Sequence, residues 1–263
     1  MNREYAAMLK LTGRPCLVVG GGTVAERKIA ALLEAGADVT VISPSVTPAI
    51  RSWAETGGLS WLSFHYGTPE IIKNYELEGS EKDPVNKGGT VFPDLSPYVI
   101  LFAATNNREV NDLLRREADK LGKFVNVADQ PDTGNMTVPA VVHRGKLTLT
   151  VSTSGASPAL AAEIRRELES AYGPEYVPYM DFLSELRETM RERIPDTKKR
   201  QELLRRVPAW NVPERIQAGD FESWRKEIMH MLQETSSPEE FTAAYVSIGS
   251  SFGKDSNPSG NDG

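Results

Sequence analysis

The chain has 263 residues, of which 40% are apolar and 25% charged, so it is long enough for one large or two smaller domains of ordinary globular composition. Its formal net charge of −6 argues against a protein that binds nucleic acid irrespective of sequence, because such binding needs a basic surface. The single cysteine, Cys16, excludes an internal disulfide and any zinc or iron–sulfur site built from several cysteines of one chain.

The sequence shows no targeting or membrane signal. The N-terminal residues lack the apolar core of a signal peptide, and no apolar run is long enough to cross a bilayer. We therefore expect a cytoplasmic protein without a membrane or nucleic-acid partner.

Short apolar segments alternate with helical patterns in the first 137 residues. Buried strands are predicted at 15–20, 38–43, 98–104 and 124–127, with a weaker candidate at 59–66. Helices are predicted at 25–35, around Trp53 and at 109–121. This alternation predicts an α/β fold with a Rossmann-type, doubly wound parallel sheet over residues 1–137. Within the first strand, Cys16 is expected to be a buried thiol rather than a nucleophile.

Residues 76–97 interrupt this alternation. The stretch 78–89 is polar, rich in glycine and without a core pattern, which is typical of a long surface loop. A lid over a substrate is the alternative interpretation, and the composition favours the loop.

The pattern changes after Val138. Residues 146–151 alternate as a half-exposed strand does, and helices are predicted at 159–171, 179–193, 198–207 and 221–234. We divide this part into a small α+β segment at 138–168 and a helical module at 169–235. From Ser236 to Gly263 the accumulating Ser, Gly, Pro and Asn predict a disordered tail.

A glycine motif follows the first predicted strand directly. Gly20, Gly22 and Ala25 form the pattern G-x-G-x-x-A between a strand and a helix, the context in which it binds a dinucleotide. Gly20 permits a tight turn, and Gly22 lets the backbone approach the pyrophosphate, which the helix N-terminus attracts. The alternative is a glycine-rich turn without a ligand. Position and flanks together favour dinucleotide binding.

The second strand lacks the acidic residue that usually holds the adenosine ribose. Its end reads Ser43-Pro44-Ser45, without a carboxylate and without an adjacent arginine for a 2′-phosphate. These residues by themselves therefore do not decide between NAD and NADP.

Four segments in order resemble a known family. They are 18–28 around the glycines, Ala103-Ala104-Thr105-Asn106 followed by Val110-Asn111, Asn126-Val127-Ala128-Asp129, and 151–161 with Ser152-Thr153-Ser154-Gly155-Ala156-Ser157-Pro158. Together they resemble the precorrin-2 dehydrogenase and sirohydrochlorin ferrochelatase family, which includes the N-terminal half of siroheme synthase. The resemblance covers residues 1 to about 170. The long segment at 76–97 and the tail after Ser236 depart from the family pattern.

The resemblance implies an enzyme that uses NAD to oxidise precorrin-2 to sirohydrochlorin in siroheme synthesis. The family often lacks the acidic residue at the second strand, so Ser43 agrees with it. Family members are homodimers, and the joining segment corresponds to 138–168. The cofactor contacts carry over to Gly20, Gly21, Gly22, Thr23, Val24, Ser43, Pro44, Ser45, Ala104 and Thr105.

The family's essential aspartate corresponds to Asp129. It follows a predicted strand, where ligands of open α/β sheets bind, and a carboxylate there can act as general base. Its position shortly before Pro131 is by itself more typical of a turn cap, and the resemblance favours the catalytic role. The expected substrate contacts are Asn106, Arg108, Asn126, Ser152, Thr153 and Ser157.

Precorrin-2 carries many carboxylates, so its site should offer cations. Candidates are Arg108, the turn at 142–146, Arg165 and Arg166, and the alternative for each is an ordinary solvated surface charge. The three histidines form no metal-binding spacing, so no resident metal site is expected.

Three questions about activity stay open at this stage. Chelatase members of the family use the same carboxylate, so insertion of ferrous iron as a substrate remains a second candidate activity. One rival function is another NAD(P)-dependent oxidoreductase, which would ignore precorrin-2. The other is a non-catalytic dinucleotide sensor, which would tolerate loss of Asp129.

Overall fold

The computed structural model describes residues 4–67, 90–91, 93–128, 130 and 133–252. The chain divides into two compact units. The first ends at Val138 but also contains Ser154–Ser157, and the second consists of Pro139–Thr153 and the residues from Pro158 on.

The first unit is built on a five-stranded parallel sheet of order β3-β2-β1-β6-β7. Its strands are β1 (Pro15–Val19), β2 (Asp38–Ile42), β3 (Ser60–Leu62), β6 (Ile100–Ala103) and β7 (Phe124–Val127). The intervening short strands β4 (His65–Tyr66) and β5 (Thr90–Val91) pair with each other in parallel. The predicted Rossmann-type sheet is confirmed.

Helices cover both faces of the large sheet. On one face α1 (Thr23–Glu34) and α2 (Pro48–Glu55) pack against side chains such as Val18 of β1 and Phe102 of β6. On the other, α3 (Arg108–Lys120) packs against Val19 and Val127. Cys16 is fully buried, as expected, and burial raises the pKa of its thiol to about 11.

Two predictions for the first unit need correction. The candidate strand at 59–66 is two short strands, β3 and β4, and only β3 joins the large sheet. The segment 76–97 is not loop throughout, because it contains β5 and the buried Leu95. The strand pairing of β5 is non-local and leaves no periodic signal in two residues. The stretch 78–89 lies outside the described residues.

The second unit begins with an antiparallel pair, β8 (Ala140–Arg144) and β9 (Leu147–Val151). Helices α4 (Pro158–Ala171), α5 (Tyr176–Arg193) and α6 (Thr197–Leu204) follow, and a 3₁₀ turn spans Val207–Trp210. The described part ends with α7 (Val212–Ala218), α8 (Phe221–Gln233) and α9 (Pro238–Phe252). The sequence patterns did not predict α7.

The predicted disordered tail is wrong for α9. Phe241, Tyr245 and Ile248 recur at helical spacing and are buried in the core formed with α5 and α8. The hydroxyl of Tyr245 donates a hydrogen bond of 3.1 Å to the carbonyl of Leu203. The surrounding Ser, Gly and Pro obscured this apolar stripe. Residues 253–263 lie outside the described part.

Candidate functional site

The predicted cofactor residues lie where the strands end. Register pairs Val19 with Ile42 on one side and with Ala103 on the other, so Gly20, Ser43 and Ala104 follow neighbouring strands at one edge. The chain progresses from β1 to β2 and β3 in one direction, and β6 and β7 lie in the other. Ligands of doubly wound sheets bind at such a switch point.

The three glycines differ in what surrounds them. A Cβ on Gly20, whose φ is +123°, would overlap the carbonyl of Ala104, and one on Gly21 would overlap the carbonyl of Ser45. Among the described residues outside its own stretch of chain, none has an atom within 4 Å of a Cβ placed on Gly22. The first two glycines therefore make room for the protein's own backbone, whereas Gly22 faces open space.

Gly22 is also the N-cap of α1. It provides no side-chain cap, and the hydrogen bond of 2.9 Å from Glu26 N to its carbonyl begins the helix. The amides of the first turn have no partner within an α-helix, and the helix dipole makes this end positive. Thr23 and Val24 are exposed here. Open space in front of free amides fits the pyrophosphate of a dinucleotide.

The end of β2 is held by a chain of contacts that sequence reasoning missed. The buried Ser43 donates its hydroxyl to the carbonyl of Ser45 at 2.7 Å, and Trp61 Nε1 donates to the carbonyl of Ser43 at 2.9 Å. The guanidinium of Arg51 lies 5.2 Å from the centre of the Trp61 ring. Pro44 and Ser45, which follow this strand end, are exposed. In doubly wound folds the end of the second strand faces the adenosine of a bound dinucleotide.

Asn111 holds the loop after β6. This side chain, 1% exposed, accepts from Thr105 N at 3.2 Å and from Thr105 Oγ1 at 2.7 Å, and donates to the Thr105 carbonyl at 3.0 Å. The same amide thus satisfies both backbone groups of Thr105. The resemblance included Asn111 without a role, and the structure shows that it fixes the loop beside Gly20.

The residues after Thr105 open onto solvent. Asn107 caps α3 by accepting from the amides of Glu109 and Val110, and Asn106 and Arg108 are exposed. In the described part of the chain Arg108 makes no ion pair. A cation in the first turn gains nothing from the helix dipole, so Arg108 is available to an anionic ligand.

Asn126 has one buried amide atom that is hydrogen-bonded and one that has no partner among the described residues. Its Nδ2 donates to the carbonyl of Met136 at 2.9 Å, whereas its Oδ1 has no hydrogen-bond partner among the described residues. The strand ends at Val127, and Ala128 N donates to the carbonyl of Ala103 at 2.9 Å. Asp129, which comes next in sequence, lies outside the described residues.

The remaining predicted contacts fall in the turn between β9 and α4. Ser152 and Thr153 belong to the second unit and Ser157 to the first. The structure therefore brings together the cofactor residues of the first unit with Asn106, Arg108 and Asn126 near the same edge, and it does not test the other three.

Most basic candidates in the second unit already have partners. Arg144 donates to the carbonyls of Tyr172 and Glu169, Lys146 pairs with Asp181 at 3.0 Å, and Arg165 pairs with Glu169 at 3.0 Å. These contacts favour structural roles for the three cations.

The described ranges contain no group of three or more His, Cys, Asp or Glu side chains that could hold a metal ion. Nor does any helix there have the length and apolarity needed to cross a membrane.

Comparison with known proteins decides the family. A profile described as putative NAD(P)-binding matches residues 7–140, and one described as sirohaem biosynthesis protein central matches residues 144–171. A precorrin-2 dehydrogenase from Priestia megaterium is 34% identical over 203 residues, which are 77% of this chain and 88% of that protein. The chain belongs to the precorrin-2 dehydrogenase family.

Other relatives agree with this assignment. A solved structure named SirC, precorrin-2 dehydrogenase, superposes with a TM-score of 0.64 at 31% identity and covers 85% of this chain and 100% of that one. A siroheme synthase from Methylobacillus flagellatus is 31% identical over 85% of this chain but 43% of its own length. A siroheme synthase from Nitrosococcus oceani is 32% identical over 81% of this chain and 41% of its own length. The chain thus spans about two fifths of these siroheme synthases.

Proposed function

We propose that this protein oxidises precorrin-2 to sirohydrochlorin with NAD in the synthesis of siroheme. The observation that carries the proposal is the open space at Gly22, in front of the free amides of α1, in a chain of the precorrin-2 dehydrogenase family. NAD supplies the hydride acceptor when bound.

Different residues of the first unit contact different parts of the cofactor. The first-turn amides of α1, with Thr23 and Val24, hold the pyrophosphate. Pro44 and Ser45, together with the anchored Ser43, contact the adenosine end. The part of NAD on the other side of the pyrophosphate lies against a surface formed by Gly20, Gly21, Ala104 and Thr105. Asn111 holds this surface in place through its three hydrogen bonds to Thr105.

The substrate binds beside this surface. Arg108, exposed and without an ion pair among the described residues, takes a carboxylate of the tetrapyrrole, and Asn106 adds a polar contact. Asn126, at the end of β7, is a further substrate contact, which the motif Asn126-Val127-Ala128-Asp129 supports. Ser152, Thr153 and Ser157 contribute from the turn before α4.

Asp129 accepts the proton. Oxidation of precorrin-2 to sirohydrochlorin removes a hydride and a proton, and a carboxylate can accept the proton as general base. The motif Asn126-Val127-Ala128-Asp129 supports this role.

Anaerobic incubation with precorrin-2 and NAD tests the proposal. We expect NADH and sirohydrochlorin to form together, and Asp129→Asn to lower turnover by roughly a hundredfold or more while NAD affinity and the thermal melt stay unchanged. Asn keeps the size and a hydrogen-bond acceptor, so a mere turn cap would survive. Near-wild-type turnover of the variant would mean that Asp129 only caps a turn. If the wild type does not turn over, the protein acts on another substrate or is a non-catalytic dinucleotide sensor.

Dimerisation and iron insertion belong to the same proposal. A homodimer joined through 138–168 is expected, and sedimentation of the full chain tests it. Similarity to siroheme synthases supports iron insertion into sirohydrochlorin as a second activity. Repeating the incubation with ferrous iron, and following the siroheme spectrum against an iron-only control, tests that activity.

A further inference from the structure

One carboxylate joins three distant parts of the first unit. Glu4 Oε1 accepts a hydrogen bond of 2.7 Å from the hydroxyl of Thr137, and Glu4 Oε2 accepts one of 3.0 Å from the hydroxyl of Ser154. These partners are 133 and 150 residues away in sequence. Glu4 lies before β1, outside any helix or strand.

The turn that Glu4 contacts has an unusual backbone. Ser154 has a φ of +49° and Gly155 a φ of +81°, so two successive residues are left-handed. A side chain disfavours this conformation at Ser154, which therefore persists only where surrounding contacts hold it. The Oγ of Ser154 donates to Glu4, and this is one such contact.

Four residues of this turn, Ser154–Ser157, belong to the first unit although their neighbours in sequence do not. Ser154–Ser157 is grouped with the residues up to Val138, whereas Thr153 and Pro158 on either side belong to the second unit. Some contact must draw these four residues to the first unit. The bridge from Glu4, which also holds Thr137 near the end of that unit, is such a contact.

We propose that Glu4 is a positioning residue that holds the turn 152–157 in its substrate-binding conformation. This rests on the proposed function, because Ser152, Thr153 and Ser157 are expected to contact the tetrapyrrole. Hydrogen bonds from hydroxyls to a carboxylate are stronger than neutral ones, but Glu4, Thr137 and Ser154 are all exposed. Loss of the bridge should therefore loosen the turn without unfolding the protein.

Glu4→Ala in the full chain tests the bridge, with Glu34→Ala as control. Glu34 is an exposed carboxylate at the end of α1 that makes no ion pair in the described residues. We expect amide hydrogen exchange in the peptide covering 152–157 to become about three- to tenfold faster in Glu4→Ala, the scale of losing one or two modest hydrogen bonds. The control should match the wild type.

A double-mutant comparison separates the bridge from other effects. Ser154→Ala removes the donor and keeps the backbone preference, so it should reproduce the faster exchange. Glu4→Ala combined with Ser154→Ala should be less than additive, because both changes break the same contact. Additive effects, or unchanged exchange in Glu4→Ala, overturn the proposal.

The functional arm measures steady-state oxidation of precorrin-2. Glu4→Ala should raise KM for precorrin-2 by about three- to tenfold, leave the NAD affinity and thermal melt unchanged, and be partly rescued in Glu4→Gln, which retains one acceptor oxygen. Faster exchange with an unchanged KM overturns the positioning role. If the wild type does not oxidise precorrin-2, the proposed function and the substrate role of Glu4 both fail, and the exchange data still decide whether the bridge forms.

Discussion

Among three consecutive glycines, the first two and the third have different surroundings. At Gly20 a side chain would overlap the carbonyl that follows β6 and would adopt a disfavoured φ, and at Gly21 it would overlap the loop after β2. At Gly22 the protein itself leaves room, and φ is −85°. This open space is what the proposed contact of Gly22 with the pyrophosphate requires.

This difference predicts opposite outcomes for neighbouring substitutions. Gly22→Asp should abolish NAD binding and keep the fold, because the side chain enters the pyrophosphate's space and its charge opposes the phosphates. Gly20→Ala should instead destabilise the first unit by at least about 3 kcal/mol through overlap and backbone strain. Calorimetry with NAD and urea unfolding separate the two. Unchanged NAD affinity in a folded Gly22→Asp variant would remove Gly22 from the cofactor site.

Asn111 and Asn106 form a second contrasting pair. Asn111→Ala leaves the amide and carbonyl of Thr105 without their partners, so we expect a loss of about 2–3 kcal/mol in unfolding free energy and weaker NAD binding. Asn106→Ala, at an exposed position, should change stability by no more than about 0.5 kcal/mol and weaken precorrin-2 binding alone. Urea unfolding and NAD titration of both variants provide the test. Equal stability losses would mean that the Thr105 loop does not depend on Asn111.

At the scale of elements, α9 shows how a helix can be missed in sequence. Its first residues are Pro238, Glu239 and Glu240, a normal helix start, and three buried side chains follow at helical spacing. The Ser, Gly, Pro and Asn that accumulate from Ser236 to Gly263 indicate disorder by composition, and this signal hides the helical spacing of the three apolar residues. The packing partners that decide the outcome, such as Trp210, are distant in sequence.

Truncating the chain at two positions separates the contribution of α9 to stability from that of the residues after it. Ending the chain at Ser237 removes Phe241, Tyr245 and Ile248 from the core, which should cost about 5 kcal/mol or more and melt the second unit. Ending it at Phe252 should leave the melting temperature unchanged. As a milder variant, Tyr245→Phe removes only the hydrogen bond to Leu203 and should cost about 1 kcal/mol. A stable protein ending at Ser237 would contradict the packing of α9.

At the scale of the whole molecule, the two units should respond differently to the cofactor. All the proposed NAD contacts lie in the first unit, so NAD at a hundred times its Kd should stabilise that unit by about 2.7 kcal/mol and leave the second unchanged. Labelling of Cys16 reports on the first unit, because its thiol is buried and has a raised pKa of about 11 until the unit unfolds. Hydrogen exchange in α5 reports on the second. An equal shift of both reporters with NAD would mean that the units unfold together.

The sequence by itself determined the Rossmann-type sheet, the glycine motif and the family. Apolar strands of four to seven residues between helical patterns, and a glycine motif between a strand and a helix, are local signals with a direct physical cause. For the same reason the strand at 124–127 was predicted with the bounds that the structure shows. Gly20 and Gly22 could be predicted as parts of a dinucleotide-binding motif without knowing which residues surround them.

Only the tertiary structure decided which distant residues meet. Trp61 contacts Ser43 across 18 residues of sequence and Glu4 contacts Ser154 across 150, between segments that carry no shared periodicity. The short pairing of β4 with β5 and the burial of α9 depend on the same kind of contact. A pattern along the chain records the face that a residue presents, whereas its partner is fixed by packing across the fold.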